Sequence, residues 1–206
     1  FKPHYRSILN TPTPFTTPTT AGSAPPGFTF PELGASFNIP FWTAAGGALP
    51  INQGISVPNF DDDIILRGGK IGVQISVSAT VTTPLFCKIT LCFIKQGANL
   101  NSTGIFSIPS RPWGWDISDE PDIATSGLKV LRIWNAVVNT QNPSFTVEHK
   151  LKPRKIDQQW FTTSATNDFN SGQFAFIIHA VNCTTNTALT YQVCAFHNLS
   201  FSGDAQ

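Results

Sequence analysis

Charge is scarce in this sequence, and methionine is missing from it. Lysine and arginine number 13 and aspartate and glutamate 12, so charged residues make up 12% of the 206-residue chain, about half the usual quarter. The formal net charge of +1 excludes a chain that advertises for a polyanion over its whole surface. No Met occurs even at position 1, as expected of a processed chain or of one with residues upstream. No apolar run approaches the roughly 18 residues of a membrane-crossing helix, and no apolar signal segment opens the chain; no membrane insertion is expected. The motifs HExxH, GxSxG, GxxxxGK(S/T) and GxGxxG are absent. With no metal set legible around His4, His149, His179 and His197, the chain is expected to be no enzyme, with no catalytic residues and no required cofactor.

Cysteine is sparse as well. Cys87, Cys92, Cys183 and Cys194 form no CxxC pair and no Cys/His cluster, which argues against zinc. Cys87 and Cys92 lie five apart, on opposite faces of an alternating strand, and cannot pair with each other. All four read as free, mostly buried thiols, which suits a reducing compartment.

What the chain does have is β texture. Phe occurs 17 times and Trp 5 times, with 16 Pro and 15 Gly. In "KIGVQISVSATVT" (70–82) apolar and small polar residues alternate over thirteen positions, the period of a half-buried strand. "LFCKITLCFIK" (85–95), "LKVLRIWNAVV" (128–138), "SFTVEHKLK" (144–152) and "LTYQVCAFHNLSF" (189–201) read the same way. "QFAFIIHAV" (173–181) is apolar on both faces, as in a central strand. A first strand is expected in 35–45 and a short one near 104–108, inside a long connection over 96–127. No segment has a convincing helical period. Eight strands with long loops predict an all-β, antiparallel jelly-roll sandwich, a double Greek key. An immunoglobulin-like sandwich is the rival, but it is usually nearer 100 residues.

Residues 1–34, rich in Pro, Thr and Gly, read as an extended N-terminal arm before a shell domain over 35–206. Phe15, Phe28 and Phe30 are odd in a solvated tail and suit docking on a neighbouring molecule. Neutral strand flanks also favour a protein that covers its surface with copies of itself.

The closing stretch, "GQFAFIIHAVNCTTNTALTYQVCAFHNLSFSG", is a hydrophobic strand, a polar turn and a long alternating strand. It resembles the last strand pair of single jelly-roll capsid proteins of small icosahedral viruses, most like the circovirus and geminivirus kind with circular single-stranded DNA. Phe174 to His179 and Ala188 to Phe201 occupy the corresponding places. "FTVEHKLKPRKID" looks like the preceding basic strand and loop, and "PWGWD" is similar to the Trp/Pro-rich loops of such shells. The Arg-rich N-terminal arm of that family is not present in these residues. The resemblance implies a structural protein of the virion that passes through host nucleus or cytoplasm during assembly. Its partners would be about sixty or more copies of itself, a viral genome, with DNA favoured over RNA, and an unknown host receptor.

The basic cluster His149, Lys150, Lys152, Arg154 and Lys155 offers sequence-independent attraction to phosphates. Arg67, Lys70 and Arg132 are added to the nucleic-acid candidates, and Trp160 and Phe161 are candidate stacking platforms. Trp113 and Trp115 are candidate interface anchors. Asp61, Asp62, Asp63, Asp116 and Asp119 are weak candidates for Ca²⁺ between subunits, with solvated loop carboxylates as the plainer explanation. His179 and His197 read as lying on adjacent strands, close enough to approach each other, with satisfied core or interface histidines as the plainer explanation. The alternative function is a carbohydrate- or receptor-binding, lectin-like β-sandwich. A cupin-type enzyme would need a His/Glu metal set that the strands do not offer.

Overall fold

The structure, a computed structural model, describes residues 4–17, 27–30, 38–40, 64–78, 80–95, 98–99, 128–156, 168–169, 174–184 and 187–202. These form twelve strands: β1 (His4–Thr16), β2 (Gly27–Phe30), β3 (Asn38–Pro40), β4 (Ile64–Ser76), β5 (Leu85–Ile94), β6 (Ala98–Asn99), β7 (Leu128–Val138), β8 (Ser144–Leu151), β9 (Arg154–Ile156), β10 (Asp168–Phe169), β11 (Phe174–Asn182) and β12 (Thr190–Ser202). One sheet has the order β1-β12-β4-β8, with β9 also on β4. A second has the order β3-β2-β11-β5-β7, and β10 pairs with β6 apart from both. The short β2–β3 pair is parallel; the other pairs of the two large sheets are antiparallel.

Ranking the eight principal strands by chain order gives 1-8-3-6 in the first sheet and 2-7-4-5 in the second. That is the double Greek key of a jelly roll, the architecture expected from strands joined by long loops. Alternation also decides the core. Ile71, Val73 and Ile75 of β4, Val147 and Leu151 of β8, and Tyr191, Val193, Ala195 and Leu199 of β12 face inward. They meet Leu85, Cys87, Ile89 and Leu91 of β5 and Phe176, Ile178 and Ala180 of β11 in one cluster. Burying side chains of this size contributes about 1.5–3 kcal/mol each.

The second sheet is covered on its other face too. Phe86, Lys88, Thr90 and Cys92 of β5 are buried, as are Ala175, Ile177, His179 and Val181 of β11. Burial holds the Cys92 thiol up at about 12 and pushes Cys87 higher still, with Cys183 close by. All four cysteines are free, and Cys87 and Cys92 take opposite faces, as their spacing requires.

Several expectations change. The first long strand is β1, inside the segment read as an arm, and β2 follows it within the same segment. Pro12 and Pro14 are admitted because β1 is an edge strand, bonded among the described strands to β12 alone. Two residues apart, their nitrogens turn to the same side, and an edge strand has one side that needs no donors. Of the strand expected in 35–45, β3 is described, and the remaining residues lie outside the described ones. β4 begins at Ile64, six residues before the alternation read from Lys70, and ends at Ser76, running straight through Gly68-Gly69. The expected strand near 104–108 lies outside the described residues. His179 and His197 do not meet: β11 and β12 belong to different sheets, because the turn between them crosses the sandwich. His179 sits on the face away from the core cluster, while His197 shares the inward phase of Val193 and Ala195.

Gly68 and Gly69 hold φ of 148° and 140°, where side chains are rarely tolerated. The pairing of β12 shifts here, from Ser200↔Gly68 to Phe201↔Leu66, so Arg67 is the extra residue of a β-bulge. A Cβ on Gly69 would lie 2.3 Å from the Asn198 carbonyl oxygen, whereas at Gly68 the nearest atom would be 3.8 Å away. Gly68→Ala should therefore cost about 1–3 kcal/mol of backbone strain. Gly69→Ala should cost clearly more, read as the larger fall in denaturant midpoint. In the folded protein Cys87 and Cys92 should resist a maleimide at neutral pH and react only after denaturation, as counted by mass spectrometry.

Candidate nucleic-acid interface

The bulge gathers the cationic residues. β8 follows β4 as far as Leu151↔Gly69, and β9 resumes at Arg154↔Leu66 and Lys155↔Ile65. Between them Lys152 and Pro153 lie opposite Arg67 and Gly68. Pro153 has no N–H to give the ladder, so the pairing is interrupted here. Lys70 and Lys150 are direct register partners. Arg67, Lys70, Lys150, Lys152, Arg154 and Lys155 are thus brought to one corner of the first sheet. Arg67, Lys150, Lys152 and Lys155 are exposed and the other two are half-buried.

Among the described residues, one carboxylate enters this corner. Glu148 Oε1 takes a hydrogen bond from Lys70 Nζ at 2.5 Å, with the side chains 43% and 42% exposed. An exposed pair of this kind is worth about 0–1 kcal/mol and leaves the corner strongly cationic. Arg67 Nε donates to Ser202 Oγ at 3.2 Å, which ties the bulge residue to β12.

Arg132 belongs to the other sheet. On β7 it pairs with Leu91 beside the bulge of that strand, and its guanidinium carbon lies 5.0 Å from the Trp134 ring centroid. Trp134 stacks in turn on Phe176, with 6.5 Å between centroids. His149, on the inward face of β8, lies 5.2 Å from the ring of Phe174. Arg154 approaches that same ring at 5.7 Å, and Phe93 packs edge-on against it at 5.3 Å. Burial lowers the His149 pKa, and the Arg132 charge lowers it further. The basic residues therefore occupy two places: an outer corner of lysines, and a flank where two arginines from different sheets rest on aromatic rings around an imidazole.

Sequence reasoning found the cations but missed their aromatic seats. Nothing in the spacing joins Arg154 to Phe174, which come together only because β9 and β11 lie in facing sheets. The interface candidates fare differently. Phe15 is half-buried against its own core, 6.0 Å from the Tyr191 ring. Phe28 and Phe30 lie in β2 as backbone partners of Phe176 and Phe174. Trp113, Trp115, Trp160, Phe161 and the calcium candidates Asp61, Asp62, Asp63, Asp116 and Asp119 lie outside the described residues.

No protein-family model matches the chain, and no curated protein matches its sequence. Among solved structures, it is similar to a chain of a nora virus structure at 11% identity and TM-score 0.40, over 99% of this chain but 61% of that one. It is similar to the decameric BFDV capsid protein at 14% identity and TM-score 0.39, over 97% and 99% of the two chains. A chain of Desmodium yellow mottle tymovirus follows at 9% and 0.37, over 96% and 88%. At such identities and scores neither kinship nor function follows from the likeness.

His149 makes folding pH-dependent with a definite sign. Its folded pKa lies below the ordinary 6.5, so the unfolded chain binds more protons in the window beneath that value. The contribution is whole above about pH 6.5 and is lost as pH falls below it. Comparing denaturant midpoints at about pH 7.5 and about pH 5, His149→Phe should lose less stability on acidification than the wild type.

Proposed function

We propose that this chain is the structural subunit of a small icosahedral virus shell, assembling with copies of itself around the viral genome. The observation that carries the reading is the corner at Gly68. A jelly roll with near-neutral strands concentrates six of its 13 Lys and Arg where β4, β8 and β9 meet. A jelly roll by itself hosts capsid, lectin and cupin proteins alike, so the fold does not choose among them. A cationic corner on an uncharged sandwich favours a polyphosphate over a neutral sugar, because phosphate contacts work by charge and counterion release.

In this reading the corner faces inward and takes the genome backbone without regard to sequence. Single-stranded DNA is the favoured genome, on the resemblance of the closing strands. Closed symmetry lets one flank serve many equivalent contacts, and about sixty or more copies would close the shell. Trp113 and Trp115 are proposed as anchors between subunits, and Ca²⁺ at the loop aspartates is a lesser proposal. The particle itself would be the site of function, reached through host nucleus or cytoplasm.

The test is size together with cargo. Light scattering of the full chain should find particles in the megadalton range, and a labelled single-stranded oligonucleotide should bind with strong salt dependence. Lys150→Glu with Lys152→Glu should weaken that binding and lower the slope of log affinity against log salt by about one to two. A dispersed monomer or trimer under all conditions, with affinity for an oligosaccharide, would favour the lectin-like alternative.

A further inference from the structure

β7 and β8 are the outermost strands of facing sheets and are joined by a tight turn in which the Asn139 amide bonds the Asn142 carbonyl at 3.0 Å. Together they make one flank of the sandwich. Away from that turn the flank carries Arg132, His149 and Arg154. Two contacts share one ring: His149 lies against Phe174, and Arg154 lies over it, while the Arg132 charge lowers the His149 pKa. Arg132 is itself stacked on Trp134. A guanidinium resting on a ring loses rotamer freedom in advance, and its planar N–H fork matches two phosphate oxygens.

We propose that Arg132, His149 and Arg154 form a phosphodiester site on this flank, in which His149 becomes the third donor when it takes up a proton. The inference rests on the nucleic-acid reading and extends it from the lysine corner to a second place with its own chemistry. The two are continuous: Lys152 and Pro153 lead from the outer face into Arg154 on the inner one. A polymer with a charge at every residue can pass over the β8 edge from Lys150 and Lys152 to the arginines.

The groups around His149 define its response. Among the described residues, β7 presents Arg132 and β9 presents Arg154 across the shared Phe174 ring. β11 and β5 offer the uncharged Phe174 and Phe93, and β4 offers Ile71, the register partner of His149. On β8 itself Glu148 and Lys150 are in the opposite phase, and Glu148 bonds Lys70. The free site therefore disfavours a charged imidazole, while a bound phosphate favours it. Affinity should rise as pH falls through the histidine range and level off above it, by about tenfold for each unit that binding raises the imidazole pKa.

The experiment is fluorescence anisotropy of the full chain with a labelled oligothymidylate, at about pH 7.5 and about pH 5.5, over a salt series. Acidification should tighten binding by about tenfold. His149→Phe, which keeps a ring on Phe174, should remove the acid gain. Arg132→Gln and Arg154→Gln should each lower the salt slope by about one. Binding that falls with Lys150→Gln and Lys152→Gln, yet keeps its acid gain in His149→Phe, would overturn this site while leaving the lysine corner intact. No binding by the wild type would overturn both. Tighter, equally acid-dependent binding of a sulfated oligosaccharide would overturn the assignment to nucleic acid.

Discussion

The sandwich closes through its last two strands. β11 inserts between β2 and β5 in one sheet, and β12 inserts between β1 and β4 in the other. Neither sheet has its centre until residues near the end of the chain arrive. β12 then bonds β1 along its full length, from His4↔Ser202 to Thr16↔Thr190, so the two ends of the described chain are held by one ladder. Loop-closure entropy is spent before such pairings can form, which marks a slow-folding topology. β11 accordingly has side chains to bury on both faces, whereas the outermost β7 alternates and leaves Leu131 and Val137 exposed.

The same closure governs where charge can go. Strands buried on both faces have little room for cations, and those of the described chain that could serve a polyanion are pressed toward a bulge and a sheet edge. The bulge needs Gly69 because the β12 backbone passes too close for any side chain. A packing constraint at one glycine thereby sets where Arg67 emerges and where β8 gives way to β9. Across the sandwich, the aromatic pairs that fill the gap between sheet ends also seat Arg132 and Arg154. Stability and the candidate site share these rings, so the site is stiffer than a loop could make it.

Much of the architecture was legible before any coordinates. The alternation in 70–77, 85–93, 144–151 and 189–201 gave strand identity and the inward set, because a period of two has only one way to bury half a strand. The apolar run at 174–181 told of a central strand. β1 was hidden: Pro12, Pro14 and many threonines look like a tail unless one knows that a sheet edge will accept them. The start of β4 lay ahead of the alternation read from Lys70, because the bulge at Gly68-Gly69 breaks the period of two. His179 and His197 were misjudged because sequence adjacency of two strands does not say whether the turn stays in one sheet.

What the sequence alone determined is local: strand period, cysteines outside any disulfide, the scarcity of charge, and the run of cations from Lys150 to Lys155. These follow from each residue and its near neighbours. What only the tertiary structure decided is which strands lie side by side and which sheets face each other. That ordering carries Arg67 and Lys70 to the β8 edge, and it sets Arg132 opposite His149 and Phe174 beneath Arg154. The reason is physical: side-chain alternation specifies a face, but hydrogen bonds between distant strands specify the neighbour, and a site shared by two sheets exists only after both are in place.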